Sequence, residues 1–191
     1  MTPLWYPWQE SPWKWCRLPP PWLQEAEQEA QRRRTYKRAL GETPVFQTDA
    51  PTNEITGLLG EQAAASLFNL RADTELRPGG DGGVDLRVGP LRIDVKTRRL
   101  PRIPRPDDRL MVPDPQVHKL KDGLILLAMA WVQPLERMYC LGWEGSTEFK
   151  ARALPWPDAP ACPCHYLEYS TLRGLTELND LITHLMVEAE P

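Results

Sequence analysis

The stretch Val84–Thr97, VDLRVGPLRIDVKT, alternates without a break: Val84, Leu86, Val88, Leu91, Ile93 and Val95 are apolar, whereas Asp85, Arg87, Arg92, Asp94 and Lys96 are charged. A period of two is the signature of a half-buried strand. Gly89-Pro90 at the centre supplies a two-residue turn, so the stretch reads as a hairpin in which Val88 pairs with Leu91 and paired residue numbers sum to 179. In that register each apolar side chain meets another on the core face, and a slip of one residue would expose them all. On the other face Asp85 lies directly across from Asp94, with Lys96 two residues further along.

Directly opposed residues have Cβ atoms about 4.5–5.5 Å apart, and two carboxylates so placed repel one another. A divalent cation between them removes that repulsion and makes a hard oxygen site suited to Mg²⁺. A lysine beside the site can orient a water nucleophile or stabilise charge on a phosphate, while the metal acidifies the water and polarises the phosphate. The pattern therefore points to metal-assisted phosphodiester hydrolysis. The bland alternative is a solvated outer face of an amphipathic hairpin. Against it stand the opposed acids, the glycines at 79–83 and a helix carrying Gly60-Glu61 just upstream.

Taken in order, Gly60-Glu61-x-x-Ala64, then Gly80-Asp81-Gly82-Gly83-Val84-Asp85, then Asp94-x-Lys96 resembles the PD-(D/E)XK, or restriction-endonuclease-like, nuclease superfamily. The likeness covers residues 54–99, with a compatible run of strands and a last helix to residue 187. It implies a restriction-endonuclease-like α/β (α+β) core: a central mixed sheet flanked by helices. It also implies Asp85 and Asp94 as metal ligands, Lys96 as the catalytic lysine and Glu61 as the helix acid that completes the Mg²⁺ (or Mn²⁺) site. Val84 stands where the superfamily's motif has proline. Glu54, seven residues before Glu61 and near the same helix face, is the alternative helix acid. Asp81, in a glycine loop, reads as a turn residue.

Around this centre the coarse pattern predicts helices over 21–40, 57–70 and 174–187, and strands at 73–77, 84–88, 91–97, 123–132 and 136–143. Helix, strands, then helix suggests a sandwich around one sheet. Residues 153–164 read as turns. Residues 1–22 hold five of the eight tryptophans (Trp5, Trp8, Trp13, Trp15, Trp22) and six of the 21 prolines. Proline this dense argues against helix and interior strand. The expected organisation is thus a Trp/Pro-rich N-terminal arm with its helix over 1–50, and a nuclease-like domain over 51–191. So much indole should lie on its own domain, a second subunit or a ligand. The basic end of the arm's helix, Arg32 to Arg38, reads as a solvated terminus or a phosphate contact.

The 191-residue chain has a net charge of −3, which alone discourages nucleic acid. The charge is uneven, however. Residues 92–109 hold seven basic residues against three acids, a local +4, leaving −7 elsewhere. A basic stripe leaving the catalytic strand, with Arg92, Arg98, Arg99, Arg102 and Arg105, is the expected nucleic-acid contact. The longest apolar run, Leu124–Val132, is nine residues, too short to span a membrane. Four scattered cysteines make a reducing cytoplasm the default. Cys162-Pro163-Cys164-His165 is spaced too tightly for a usual zinc pair, and a second pair is missing unless Cys16 or Cys140 lies near.

The expectation is a Mg²⁺-dependent endonuclease acting on DNA, structure-selective or site-specific. It would be a homodimer if both strands are cut, with no membrane association and no small-molecule cofactor. A non-catalytic nucleic-acid-binding or assembly protein on the same fold, or an RNase, is the alternative.

Overall fold

The computed structural model describes residues 2–8, 11–41, 50–72, 83–159 and 162–188. It is mixed α/β, with a curled, mixed central sheet and helices packed against it. The strands β1 (Trp5–Trp8), β2 (Ser11–Arg17), β3 (Leu86–Val88), β4 (Leu91–Leu100), β6 (Leu124–Val132) and β7 (Arg137–Gly145) form that sheet in the order β1-β2-β7-β6-β4-β3. β4 and β6 run parallel and the remaining neighbours are antiparallel. A smaller antiparallel sheet, β5-β9-β8, is made of β5 (Arg109–Pro113), β8 (Leu154–Trp156) and β9 (Cys164–Glu168).

β6 explains the layering. All nine of its residues are buried, as expected when a strand is covered on both faces. Ile125, Leu127, Met129 and Trp131 point to one side, where they meet Leu58, Leu59 and Ala63 of α2 (Ala50–Leu67), Ala26 and Ala30 of α1 (Pro20–Ala39), and Leu178 and Ile182 of α5 (Leu175–Glu188). Leu124, Leu126, Ala128, Ala130 and Val132 point to the other, against Leu110 and Val112 of β5, Leu167 of β9, Val117 of α3 (Asp114–Val117) and Phe149 of α4 (Ser146–Arg152). The sheet curls enough that α5 packs on β2 and β7 and also reaches β3 at the far end of the strand order.

The N-terminal segment corrects an expectation. The density of proline argues against an interior strand, yet β2 lies between β1 and β7. The prolines are placed so that this costs little. The β2–β7 pairing covers Lys14–Arg17, beyond Pro12, and Pro7 lies on the edge strand at a register shift. A missing N–H is tolerated at edges and irregularities. Trp5 and Trp22 pack against the helical core, and Trp13 and Trp15 against the opposite one. These four indoles therefore cover the chain's own sheet, and residues of β2 and α1 share a core with residues beyond 50. α2 begins at Ala50, seven residues before the expected start. The strand expected at 73–77 lies outside the described residues.

Two glycines permit the packing. At Gly60 of α2, an added Cβ would overlap the Thr97 side chain of β4, with the Thr97 Cβ only 2.8 Å away; helix and sheet touch because there is no side chain. At Gly142, φ is +139° and an added Cβ would lie 2.7 Å from the Arg173 carbonyl. Gly142 borders the bulge at which β7 shifts register against Ala128 and Met129 of β6.

Candidate active site

The hairpin forms in the register that its alternation demands: Leu86 pairs with Ile93, Arg87 with Arg92, and Val88 with Leu91 around the Gly89-Pro90 turn. The ladder changes just past the end of β3. The Asp85 N–H donates to the Ile93 carbonyl at 2.9 Å, and Asp85 Oδ2 accepts the Val95 N–H at 2.6 Å. Asp85 thus grips the backbone on both sides of Asp94. Val84 leaves the face of its alternating neighbours and packs into the opposite core.

Asp85 and Asp94 are 8% and 5% exposed, although carboxylates are seldom buried without partners. Lys96 Nζ lies 2.8 Å from Asp94 Oδ2 and donates to Gln116 Oε1 at 3.2 Å. Gln116 belongs to α3, so this short helix supplies a second contact to the ammonium besides Asp94. The two aspartates and Lys96 line a cavity of about 610 Å³, together with Glu61, Gly83, Gln116, Lys119 and Lys121. Gly83, at φ +75°, brings the incoming chain close to Asp94; a Cβ there would lie 3.9 Å from Asp94 Oδ2.

The structure brings Glu61, Asp85, Asp94 and Lys96 to one cavity. Glu61 is also held by the N-terminal helix, with Arg33 Nη2 3.3 Å from its Oε2; Arg33 donates in addition to Glu29. Glu54 does not line the cavity. It lies 3.6 Å from Arg34 and 3.8 Å from Lys37, and its carboxyl is nevertheless held above its ordinary range because desolvation outweighs both cations. The basic run at the end of α1 therefore has partners in α2. Asp81 lies outside the described residues.

Among the described residues no group of three or more His, Cys, Asp or Glu side chains could hold a metal ion. Glu61, Asp85 and Asp94 share a cavity without forming a three-acid cluster. The two buried aspartates still fit Mg²⁺, which characteristically takes one or two protein carboxylates and completes its shell with water and substrate phosphate oxygens. The same observation applies to the Cys162–His165 segment, where His165 Nδ1 contacts Asp114 Oδ1 at 3.0 Å and Cys164 is buried.

None of the five arginines expected to hold nucleic acid lines the cavity, and three are engaged elsewhere. Arg92 donates to the Asp122 carbonyl at 2.7 Å and Arg98 to the Arg109 carbonyl at 3.3 Å. Arg102 makes a two-pronged contact with Asp108 at 2.7 and 2.8 Å. Arg99 and Arg105 are exposed. Arg109, in the same stretch, stacks over the rings of Trp156 and Tyr166 at 4.3 and 4.2 Å. The cavity's cations are Lys96, Lys119 and Lys121. Lys119 and Lys121 lie beyond the basic stretch at 92–109; a Gln116-x-x-Lys119-x-Lys121 run on a short helix and turn has no periodicity to mark it.

No protein-family model matches this sequence, and comparison with curated proteins and with solved structures likewise gives no match.

Proposed function

We propose that the chain is a metal-dependent nuclease with a restriction-endonuclease-like core, hydrolysing phosphodiester bonds in DNA at the cavity lined by Asp85, Asp94 and Lys96. One observation carries the proposal. Two buried carboxylates line one cavity, Asp94 on β4 and Asp85 just before β3 with its Oδ2 held by the Val95 N–H, and an ammonium lies 2.8 Å from Asp94 while two more lysines line the same cavity. A site serving stability alone would gain by replacing one of the two acids with an apolar residue.

Asp85 and Asp94 would hold Mg²⁺ or Mn²⁺. When bound, such an ion supplies Lewis acidity toward a phosphoryl oxygen and lowers the pKa of a water. The chain's own groups do the remainder. The Val95 amide fixes one oxygen of Asp85, so the carboxylate presents a defined edge to the cavity. Lys96, steadied by Gln116, places a donor beside Asp94, where it can orient the attacking water or take charge from the phosphate in the transition state. Glu61, balanced by Arg33, adds a further carboxylate to the wall.

One such site cuts one strand, so scission of both strands of a duplex would need two copies. The test is incubation with Mn²⁺ or Mg²⁺ and a panel of linear duplex, single-stranded, branched and RNA substrates. Metal-dependent cutting of DNA is the expected result. Cutting of RNA alone would reassign the substrate. Binding without cutting of any member would favour a non-catalytic nucleic-acid-binding protein.

A further inference from the structure

We propose that the turn Lys119–Gly123, between α3 and β6, is the grip for the nucleic-acid backbone next to the scissile phosphate, in place of the arginines that follow β4. The proposal rests on the nuclease reading of the cavity for the nature of its ligand, a phosphodiester chain.

The turn is built to hold a fixed shape. Three successive carbonyls each accept a side-chain hydrogen bond from a different residue: Leu120 from Lys150 Nζ at 2.6 Å, Lys121 from Ser146 Oγ at 2.7 Å, and Asp122 from Arg92 Nη2 at 2.7 Å. Backbone bonds close it internally, from Lys119 N–H to the Gln116 carbonyl at 2.9 Å and from Leu124 N–H to the Lys121 carbonyl at 3.3 Å. Behind it, α4 is tied to β7 by the fully buried Glu144, which ion-pairs with Arg152 and lies 3.4 Å from Arg173 Nε. Surface turns ordinarily leave such carbonyls to water. Here β4 and α4 satisfy them, while Leu120 and Leu124 are buried beneath.

What this rigid turn presents is positive charge. Lys119 and Lys121 are exposed residues that line the cavity of Asp85 and Asp94, and among the described residues neither forms an ion pair. A polyanion approaching two carboxylates is repelled unless cations stand at the entrance. Lysines carried on a preformed turn meet it with less ordering cost than lysines on a mobile loop. The arginine stretch is poorly placed for this work, since Arg92, Arg98, Arg102 and Arg109 are committed to carbonyls, to Asp108 or to aromatic rings. Arg92 serves the grip indirectly, by fixing Asp122.

The test is fluorescence anisotropy of a labelled 20-base-pair duplex, with Ca²⁺ as the divalent ion, over a series of salt concentrations. Each lost phosphate contact should flatten the slope of log affinity against log salt by about 0.9. Lys119→Gln/Lys121→Gln should therefore flatten it by about 1.8, so that a fourfold rise in salt weakens the wild type about 12-fold more than the variant. Lys119→Arg/Lys121→Arg should keep most of the slope. Melting temperature should stay unchanged, because the turn is held by its carbonyls. An unchanged slope in the glutamine variant, or a larger loss from Arg99→Gln/Arg105→Gln, overturns the grip while leaving wild-type cleavage, and with it the nuclease reading, intact. A wild type that neither binds nor cuts any nucleic acid overturns both.

Discussion

Asp85 holds the backbone on either side of Asp94: its N–H donates to the Ile93 carbonyl at 2.9 Å, and its carboxylate accepts the Val95 N–H at 2.6 Å. One acid is therefore the mount of the other. Asp85→Asn keeps an oxygen for the Val95 amide and removes the charge. It should fold as the wild type does and lose the rise in melting temperature that Mg²⁺ or Mn²⁺ gives the wild type. Asp85→Ala also strands a buried amide, at a cost of about 1–3 kcal/mol. Urea denaturation with and without metal separates the two effects; equal stabilities for the two variants would sink this account of Asp85.

Gly60 is where α2 touches β4, one residue before Glu61. Gly60→Ala forces a Cβ into Thr97 and should destabilise by about 1–3 kcal/mol through overpacking. Thr97 Oγ1 is buried and has no hydrogen-bond partner among the described residues, so Thr97→Ala should be mild alone and recover part of the loss in the double variant. A double-mutant cycle measures this. Strict additivity would show that the two residues do not meet.

Arg33 links the N-terminal helix to the cavity through Glu61. The pair is largely buried, and residues sharing one such network couple by about 0.5–3 kcal/mol. Arg33→Ala and Glu61→Ala should show that coupling in chemical denaturation. A coupling indistinguishable from zero would mean that the helix leaves Glu61 alone.

Two carboxylates should respond to pH with opposite signs. Burial works to raise the Asp108 carboxyl, but hydrogen bonds from Arg102 and the Arg105 amide outweigh it and hold the group below its ordinary 3.8. Its contribution is present above pH 3.8 and disappears as pH falls through the depressed folded value. Asp108→Asn should therefore be less stable than the wild type at neutral pH and converge with it in acid. Glu54 is held above its ordinary 4.5 by desolvation, so its contribution is present below pH 4.5 and lost as pH rises through the folded value. Glu54→Gln should cost nothing, or stabilise, at pH 7. Unfolding free energies at pH 3 to 7 for both variants decide the signs.

The hairpin was legible in the sequence because period-two alternation and a Gly-Pro turn allow one register, and β6 because nine apolar residues in a row need cover on both sides. The sheet β5-β9-β8 was not. Two of its strands contain a proline (Pro113, Pro155), and Arg109, which reads as part of a basic stripe, is there to stack on Trp156 and Tyr166. Charge counting finds where cations are dense along the chain, but which of them already have partners depends on residues far away in sequence. Asp108 takes Arg102, and the Asp122 carbonyl takes Arg92 from 30 positions off. The N-terminal strands were obscured in a similar way. Proline is excluded from a ladder only where its N–H is needed, and the pairing partners that decide this, residues 137–140 of β7, lie more than a hundred residues on.

The most direct measurement is the rate of cleavage of labelled DNA in Mn²⁺ by the wild type, Asp94→Ala and Lys96→Ala, with binding of the same DNA measured in parallel. Metal-dependent cleavage by the wild type, abolished in both variants with binding retained, is the expected result. Cleavage by Asp94→Ala at the wild-type rate would contradict the assignment of this cavity as the active site.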